Sequence, residues 1–161
     1  MNLLLVSDTH GKLKNLRTLL GRVKHADLLL HMGDAEGDED EIRSFAGCPV
    51  EFVRGNCDTF SREPFDKVLD ISGHRIFMTH GHRYGVGYSL DALCQAAREA
   101  GADIALFGHT HQPEQITDGE LILVNPGSLS KPRQEGHKPT YALLEIDRQG
   151  KCHVTMNVLA P

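Results

Sequence analysis

The chain has no long apolar run, no basic stripe, no closely paired cysteines and no internal repeat, and each absence removes a class of function. No hydrophobic stretch approaches the roughly 20 residues that a membrane-crossing helix needs, so no membrane partner is expected. Residues 3–6 are too short for the core of a signal peptide, and no basic residue precedes them, so a cytoplasmic location is expected. Lys and Arg number 17 against 22 Asp and Glu, a formal net charge of −5. Without a polybasic run, that balance argues against duplex nucleic acid as a partner, though not against a short or single-stranded one. Cys48, Cys57, Cys94 and Cys152 form no C-x-x-C pair, and reduced thiols are the expectation. No low-complexity tract or linker interrupts the 161 residues, about the size of one domain with a proper core, so residues 1–161 are read as a single domain.

What the chain does have is five short clusters of metal-binding residue types, each following or closing an apolar stretch. They are Asp8-Thr9-His10, Gly33-Asp34, Gly55-Asn56-Cys57-Asp58, Thr79-His80-Gly81-His82 and Gly108-His109-Thr110-His111. The apolar stretches are 3–6, 28–30, 50–53, 76–78 and 104–107. Five strand ends are therefore expected to present Asp, Asn and His at one sheet edge, as a two-metal centre requires.

The intervening patterns set the expected fold. Leu13, Leu16, Leu20 and Val23 recur at helical spacing, and the acidic run from Glu36 to Glu41 reads as the solvated start of a brief helix with Ile42 and Phe45 inward. The β-α-β-α-β order of the first half implies a parallel sheet. The second half reads as hairpins over 68–78, 115–124 and 141–158, plus a helix with Leu90, Leu93, Ala97 and Ala100 on one face. Ser89 is the expected N-cap of that helix and Gly101 its C-terminal stop. The fold class is α/β, with two mixed sheets face to face and helices outside.

The chemistry follows from the donors. Asp8 and His10, two residues apart in an extended segment, project to the same side, and His109 and His111 repeat the spacing. Asp34 has two carboxylate oxygens, one for each of two metals, so it serves as a bridge. Asn56 offers a neutral carbonyl oxygen and His80 an imidazole. The set divides into one metal on Asp8, His10, Asp34 and His111, and a second on Asp34, Asn56, His80 and His109. Two divalent ions, two carboxylates and a bridging hydroxide leave about +1 when the histidines are neutral, a charge that attracts an anionic ester. Such a centre lowers the pKa of its bound water, and the hydroxide attacks phosphorus in line. N and O donors without thiolate fit Mn, Fe, Zn, Co or Ni, with manganese the first choice.

The five clusters, in this order, resemble the signature of calcineurin-like metallophosphoesterases, and most closely the small prokaryotic phosphodiesterase (YfcE-like) branch. The resemblance runs from Asp8 to Asn125-Pro126-Gly127-Ser128. It implies a four-layer α/β/β/α sandwich with the site at the sheet ends, and the ligand division above. Many members of the wider superfamily carry a proton-donating His where this chain has Cys57. A thiol has a reference pKa of about 8.5 against about 6.5 for His and is a weak hydrogen-bond donor. A catalytic set of Asp34, Asn56, His80 and Cys57 is therefore expected to favour phosphodiesters whose leaving groups need little protonation.

Other residues carry smaller expectations. His82 is read as substrate-facing, and Lys131 and Arg133 as contacts for a substrate phosphate. Asp58 either orients a neighbouring ligand or caps a turn. His31 reads as a satisfied core histidine, and Tyr84, among Gly81, Gly85 and Gly87, as part of a mobile loop over the site. Residues 125–128 read as a turn packed beneath the site. A homodimer or higher homo-oligomer is compatible with so small an enzyme. The rival readings are a phosphomonoesterase on the same centre, a nuclease for short oligonucleotides, a scaffold of the same fold, and a zinc hydrolase of the metallo-β-lactamase type. The last lacks the Asp and His that should follow His111, where Gln112-Pro113 stands.

Overall fold

The structure is a computed structural model describing residues 1–161. The first half forms strands β1 (Asn2–Val6), β2 (Leu28–His31) and β3 (Val50–Phe52), with helices α1 (Lys14–Arg22) and α2 (Glu39–Phe45) between them. The second half forms β4 (Asp66–Ile71), β5 (His74–Thr79), a 3₁₀ turn (His82–Tyr84), helix α3 (Asp91–Glu99), β6 (Ile104–Leu106), β7 (Pro113–Asp118), β8 (Leu121–Pro126), β9 (Thr140–Ile146) and β10 (Cys152–Val158). They make two five-stranded sheets, ordered β10-β9-β1-β2-β3 and β4-β5-β6-β8-β7. In the first, β1, β2 and β3 run parallel while β9 and β10 are antiparallel additions. In the second, β5, β6 and β8 run parallel, with β4 and β7 antiparallel at the edges.

Period-two alternation sorts each central strand into two cores. Leu3 and Leu5 of β1 join Ile76, Met78, Ile104 and Leu106 between the sheets. Leu4 and Val6 pack outward with Leu16, Leu19 and Ile42 of the two N-terminal helices. Phe77, Ala105 and Phe107 pack outward on the other side with Leu93 and Ala97 of α3. Three apolar layers thus separate four structural layers, which is the expected α/β/β/α sandwich. The central strands are buried on both faces, which explains why 3–6 and 104–107 are apolar throughout.

Local signals act largely as read. α3 ends at Gly101 (φ +71°), whose N–H bonds the Arg98 carbonyl while that of Ala102 bonds Ala97, a Schellman stop. Ser89 accepts the Asp91 N–H at 3.1 Å from one residue outside the helix boundary, which falls at Leu90. The acidic run divides: Glu39, Asp40 and Glu41 form the first turn of α2, but Glu36 precedes the helix and adopts φ +58°. Tyr84 closes the 3₁₀ turn at His82–Tyr84. Its hydroxyl donates to Asp66 at 2.8 Å and its ring meets Phe77 edge-on. All four cysteines are free thiols. No helix is long and apolar enough to cross a membrane.

The parallel strands of both sheets deliver their carboxyl ends to one side of the molecule, where α/β sheets open their ligand crevices. The five clusters lie there, in the loops beyond β1, β2, β3, β5 and β6.

Candidate metal centre

Seven side chains converge at that edge. On one half, His10 Nε2 lies 3.6 Å from Asp8 Oδ1, 3.7 Å from Asp34 Oδ2 and 3.2 Å from His111 Nε2, and His111 Nε2 lies 3.1 Å from Asp8 Oδ1. On the other, Asn56 Oδ1 lies 3.0 Å from both His80 Nε2 and His109 Nδ1, and His80 Nε2 is 3.4 Å from Asp34 Oδ2. Asp8, His10, Asp34 and His111 are all buried, with ligand atoms close enough to hold one ion. The first four thus have donor atoms mutually close enough for one ion, while Asn56, His80 and His109 gather beside them, with Asp34 Oδ2 between His10 and His80.

The route differs from the expected one. Asp8 and His10 do not sit on an extended segment, because β1 ends at Val6. Asp8, His10, Asp34, His109 and His111 all adopt left-handed φ, from +46° to +69°. For residues other than Gly this conformation costs about 1–2 kcal/mol each and persists only where surroundings over-determine it. The bridge also differs. Asp34 Oδ1 accepts the Cys57 N–H at 2.8 Å, so one oxygen, Oδ2, faces both halves.

Six of the seven residues tie one polar atom outward and turn the other inward. Asp8 Oδ2 accepts from the Ser7 hydroxyl (2.6 Å) and the His109 N–H (3.2 Å). His80 Nδ1 donates to the Met32 carbonyl at 2.6 Å, and His111 Nδ1 to that of Lys131 at 2.7 Å. His10 Nδ1 meets Glu36 Oε1 at 2.6 Å, and Asn56 Nδ2 donates to Cys57 Sγ at 3.4 Å. A carbonyl or carboxylate only accepts, so those Nδ1 atoms carry a proton, and in the neutral rings, the form that binds a cation, the Nε2 atoms face inward as lone pairs. Lone pairs then face lone pairs, and Asp8 Oδ1 is buried with no hydrogen-bond partner. Such a set is unsatisfied alone and satisfied by cations. Oxygen and imidazole donors of this kind suit a divalent transition metal, so the residues fit the implied ions.

The electrostatics agree. Burial opposes the charge on Asp8, but its contacts with His10 and His111 outweigh that and hold the carboxyl far below the usual range. Asp34 is likewise buried, yet His80 and the Cys57 N–H bring it down to about 2. Burial disfavours a charge on His80, but the Asp34 and Asp8 carboxylates reverse the balance and raise its pKa. Two ionised carboxylates in a buried pocket favour positive charge there.

Several residues act as supports. Asp58, itself buried, accepts the N–H groups of Asp34 (2.8 Å), Gly55 (2.7 Å) and Glu36 (2.7 Å), so it orients the ligand loops and does not merely cap a turn. Asn125 Nδ2 holds the Gly108 carbonyl and Thr110 Oγ1, and the Ser128 and Ser130 hydroxyls hold the Asp8 carbonyl. The end of β8 and the residues just after it therefore fasten the Asp8 and Gly108 loops from below. His31 takes the Gly33 N–H on Nδ1 and so donates from Nε2 to Thr9 Oγ1 at 3.0 Å. It is the satisfied core histidine expected.

The residues expected at the substrate lie on the rim. Cys57 is exposed as a residue, yet partial desolvation of its thiol together with the nearby Asp34 carboxylate pushes its pKa up to about 11. It lines a recess of about 830 Å³ with Glu36, Phe60 and Arg62. His82 stands outside the second half, ring centroids 5.4 Å from His80 and 6.1 Å from His109, and Nδ1 is buried without a partner. Arg133 lines a smaller recess of about 450 Å³ with His109, and its backbone N–H bonds the His111 carbonyl. Lys131 contributes its carbonyl to His111, a role its side-chain type does not announce.

Two glycines are needed for space. A Cβ on Gly108 would lie 2.1 Å from Ser7 Oγ, and one on Gly55 would lie 2.1 Å from Asp34 Oδ1. These glycines let the ligand loops touch. Glu36 is the polar residue that the sequence reading placed wrongly, and Gly37 directly after it is the signal that separates it from the helix.

Comparison with known proteins agrees with this geometry. The family model of the calcineurin-like phosphoesterase superfamily domain matches residues 1–149. The chain is 38% identical over 150 residues to the probable metallophosphoesterase YsnB of Bacillus subtilis, covering 91% of this chain and 85% of that protein. It is 31% identical to the phosphodiesterase YfcE of Escherichia coli, covering 91% and 89%. The crystal structure of a Streptococcus pneumoniae protein described as a predicted phosphoesterase superposes with a TM-score of 0.80 at 27% identity, covering 98% and 97%.

Proposed function

Since this chain belongs to the calcineurin-like phosphoesterase superfamily, in its small prokaryotic branch, and is a metal-dependent phosphoesterase, we propose that it hydrolyses phosphodiesters at a centre of two divalent metals. Residues 1–161 act as one catalytic domain, in the cytoplasm, on a small diester. The observation that carries the reading is the set of inward lone pairs, above all His10 Nε2 and His111 Nε2 at 3.2 Å beside the unpartnered Asp8 Oδ1.

Asp8, His10, Asp34 and His111 would hold one ion, and Asp34, Asn56, His80 and His109 the other. When bound, two such ions supply Lewis acidity and lower the pKa of an attacking water towards neutrality; manganese leads the metals that suit these donors. Asp34 Oδ2 ties the two halves, facing His10 on one side and His80 on the other at 3.7 and 3.4 Å. The outward bonds of His80 and His111 prevent ring rotation, so the donors are preorganised. His82 and Arg133, on the rim, would meet the substrate's non-reacting groups.

The preference for diesters is supported by Cys57, a thiol where a proton-donating imidazole is common, and by the likeness to a protein named a phosphodiesterase. A good general acid contributes about 10²–10⁴-fold, so its lack favours substrates with better leaving groups. The test is hydrolysis of bis-p-nitrophenyl phosphate against p-nitrophenyl phosphate under matched Mn²⁺, with Asp34→Asn as control. Faster diester cleavage, lost in the control, supports the proposal. Faster monoester cleavage favours a phosphatase, and activity surviving Asp34→Asn removes the two-metal assignment. A metal-replete protein inactive on both esters would favour a scaffold.

A further inference from the structure

We propose that Glu36 is a positioning residue that locks His10 as a metal ligand, an inference resting on the metal-centre reading above. Glu36 Oε1 lies 2.6 Å from His10 Nδ1. A carboxylate only accepts, so the proton is on Nδ1 and the Nε2 lone pair is free for the ion. His80 and His111 obtain the same tautomer from backbone carbonyls, those of Met32 and Lys131. Among the three, His10 alone relies on a side chain. A charged acceptor makes the shorter, stronger bond and increases the basicity of the ligating nitrogen.

His10 needs that restraint. Its Nε2 is crowded by His111 Nε2 at 3.2 Å and two carboxylates within 3.7 Å. Without the outer bond, lone-pair repulsion would turn the ring or move its proton to Nε2, blocking the ligand atom. The backbone of Glu36 is itself built for the task. Its φ is +58°, a conformation that a glutamate adopts at a cost. Its N–H is held at 2.7 Å by Asp58, the same carboxylate that holds the Asp34 N–H. Asp58 thus sets the bridging ligand with one oxygen and the support of His10 with the other.

Cys57 also lies near His10 and Glu36, and one donor atom from each is close enough to the others to hold an ion of their own. Nδ1 already bonds Glu36 at 2.6 Å, so an ion there would have to displace that proton. The support role needs no such change.

The two roles separate in one experiment on the full chain. Metal-free wild type, Glu36→Ala, Glu36→Gln and Cys57→Ser are titrated with Mn²⁺ by calorimetry, and thermal melts of the metal-free forms check the fold. The His10 tautomer is read by long-range ¹H–¹⁵N NMR of the Zn²⁺-loaded proteins. Glu36→Ala is expected to weaken the ion held by His10 by about 10–100-fold, so that one binding step weakens, and to lose the fixed Nδ1–H signature. Glu36→Gln, whose amide oxygen still accepts, should restore most of the affinity, and Cys57→Ser, whose hydroxyl still accepts from Asn56, should lose clearly less than Glu36→Ala. Wild-type affinity and tautomer in Glu36→Ala overturn the inference, as does an equal loss in Cys57→Ser. Wild type that binds no ion overturns the metal centre itself. Wild type that binds a single ion, weakened in Glu36→Ala, upholds the role of Glu36 while removing the dinuclear reading.

Discussion

His10 and His111 face each other through their Nε2 atoms at 3.2 Å, although 101 residues separate them in the chain. Both rings are held from behind, His10 by Glu36 and His111 by the Lys131 carbonyl. The contact is repulsive between two lone pairs and attractive once a cation lies between them. Metal removal should therefore reduce stability as well as activity. With ion at about 100 times its Kd, binding stabilises the fold by about 2.7 kcal/mol. For a domain of this size, that corresponds to a Tm lowered by roughly 5–10 °C on chelation. Scanning calorimetry with and without EDTA measures it, and an unchanged Tm would count against a built metal site.

The three glycines at issue should respond in opposite directions to alanine. At Gly55 and Gly108 the new Cβ strikes Asp34 Oδ1 and Ser7 Oγ at 2.1 Å. Overpacking of this kind costs about 1–3 kcal/mol, and here it also displaces a ligand loop. Both variants should lose Mn²⁺ affinity together with stability. Gly21, within α1, has nothing within 4 Å of its Cβ, so Gly21→Ala should stabilise by about 0.5–1 kcal/mol with activity intact. Urea unfolding and metal titration of the three variants check both directions.

Burial lowers the pKa of His31 to about 4, and the Asp58 and Asp8 carboxylates oppose that only in part. The folded-state value lies below the unfolded one, so the unfolded chain binds the proton more tightly. The stability that neutral His31 contributes is fully present above about pH 6.5 and is lost as pH falls towards 4. At pH 5 the loss should be about 2 kcal/mol. Urea unfolding of the metal-free protein at pH 7 and pH 5 measures it. His31→Gln should be less stable at pH 7 but should show a flatter dependence over that interval, and a slope equal to wild type would contradict the assignment.

Restoring an imidazole at the rim should change ester preference. Cys57→His is expected to raise the ratio of monoesterase to diesterase activity by about tenfold or more, given the usual worth of a general acid. Steady-state rates on paired nitrophenyl esters, with bound metal quantified, decide the matter. A ratio that does not move, with metals still bound, removes Cys57 from the explanation of specificity.

Much of this is legible in the amino-acid sequence. Donor types sit in short clusters after apolar runs, and that juxtaposition carries both the layer order and the seven candidate ligands that the fold brings to one edge. Central strands such as 3–6 declared their double burial by being apolar throughout. Less legible was anything that depends on backbone atoms or on φ. Sequence does not announce that the carbonyls of Met32 and Lys131 orient His80 and His111, because any residue carries a carbonyl. It does not show that Asp8 and His10 reach one point through two left-handed turns, since an extended segment would also bring them together. Glu36 was lost among the acids of the following helix. Asp58 gave no sign that it collects three backbone N–H groups from two loops. The glycines at 55 and 108 were visible as motif members, but their reason, a contact with Asp34 and Ser7, is tertiary.

The central claim is that two ions, shared through Asp34, make the active centre. Its most direct test is to titrate metal-free protein with Mn²⁺ while following both bound ions and bis-p-nitrophenyl phosphate hydrolysis. Two ions per chain, with activity rising as the second binds, is the result predicted. One ion per chain at full activity, or full activity before the second ion binds, would contradict it.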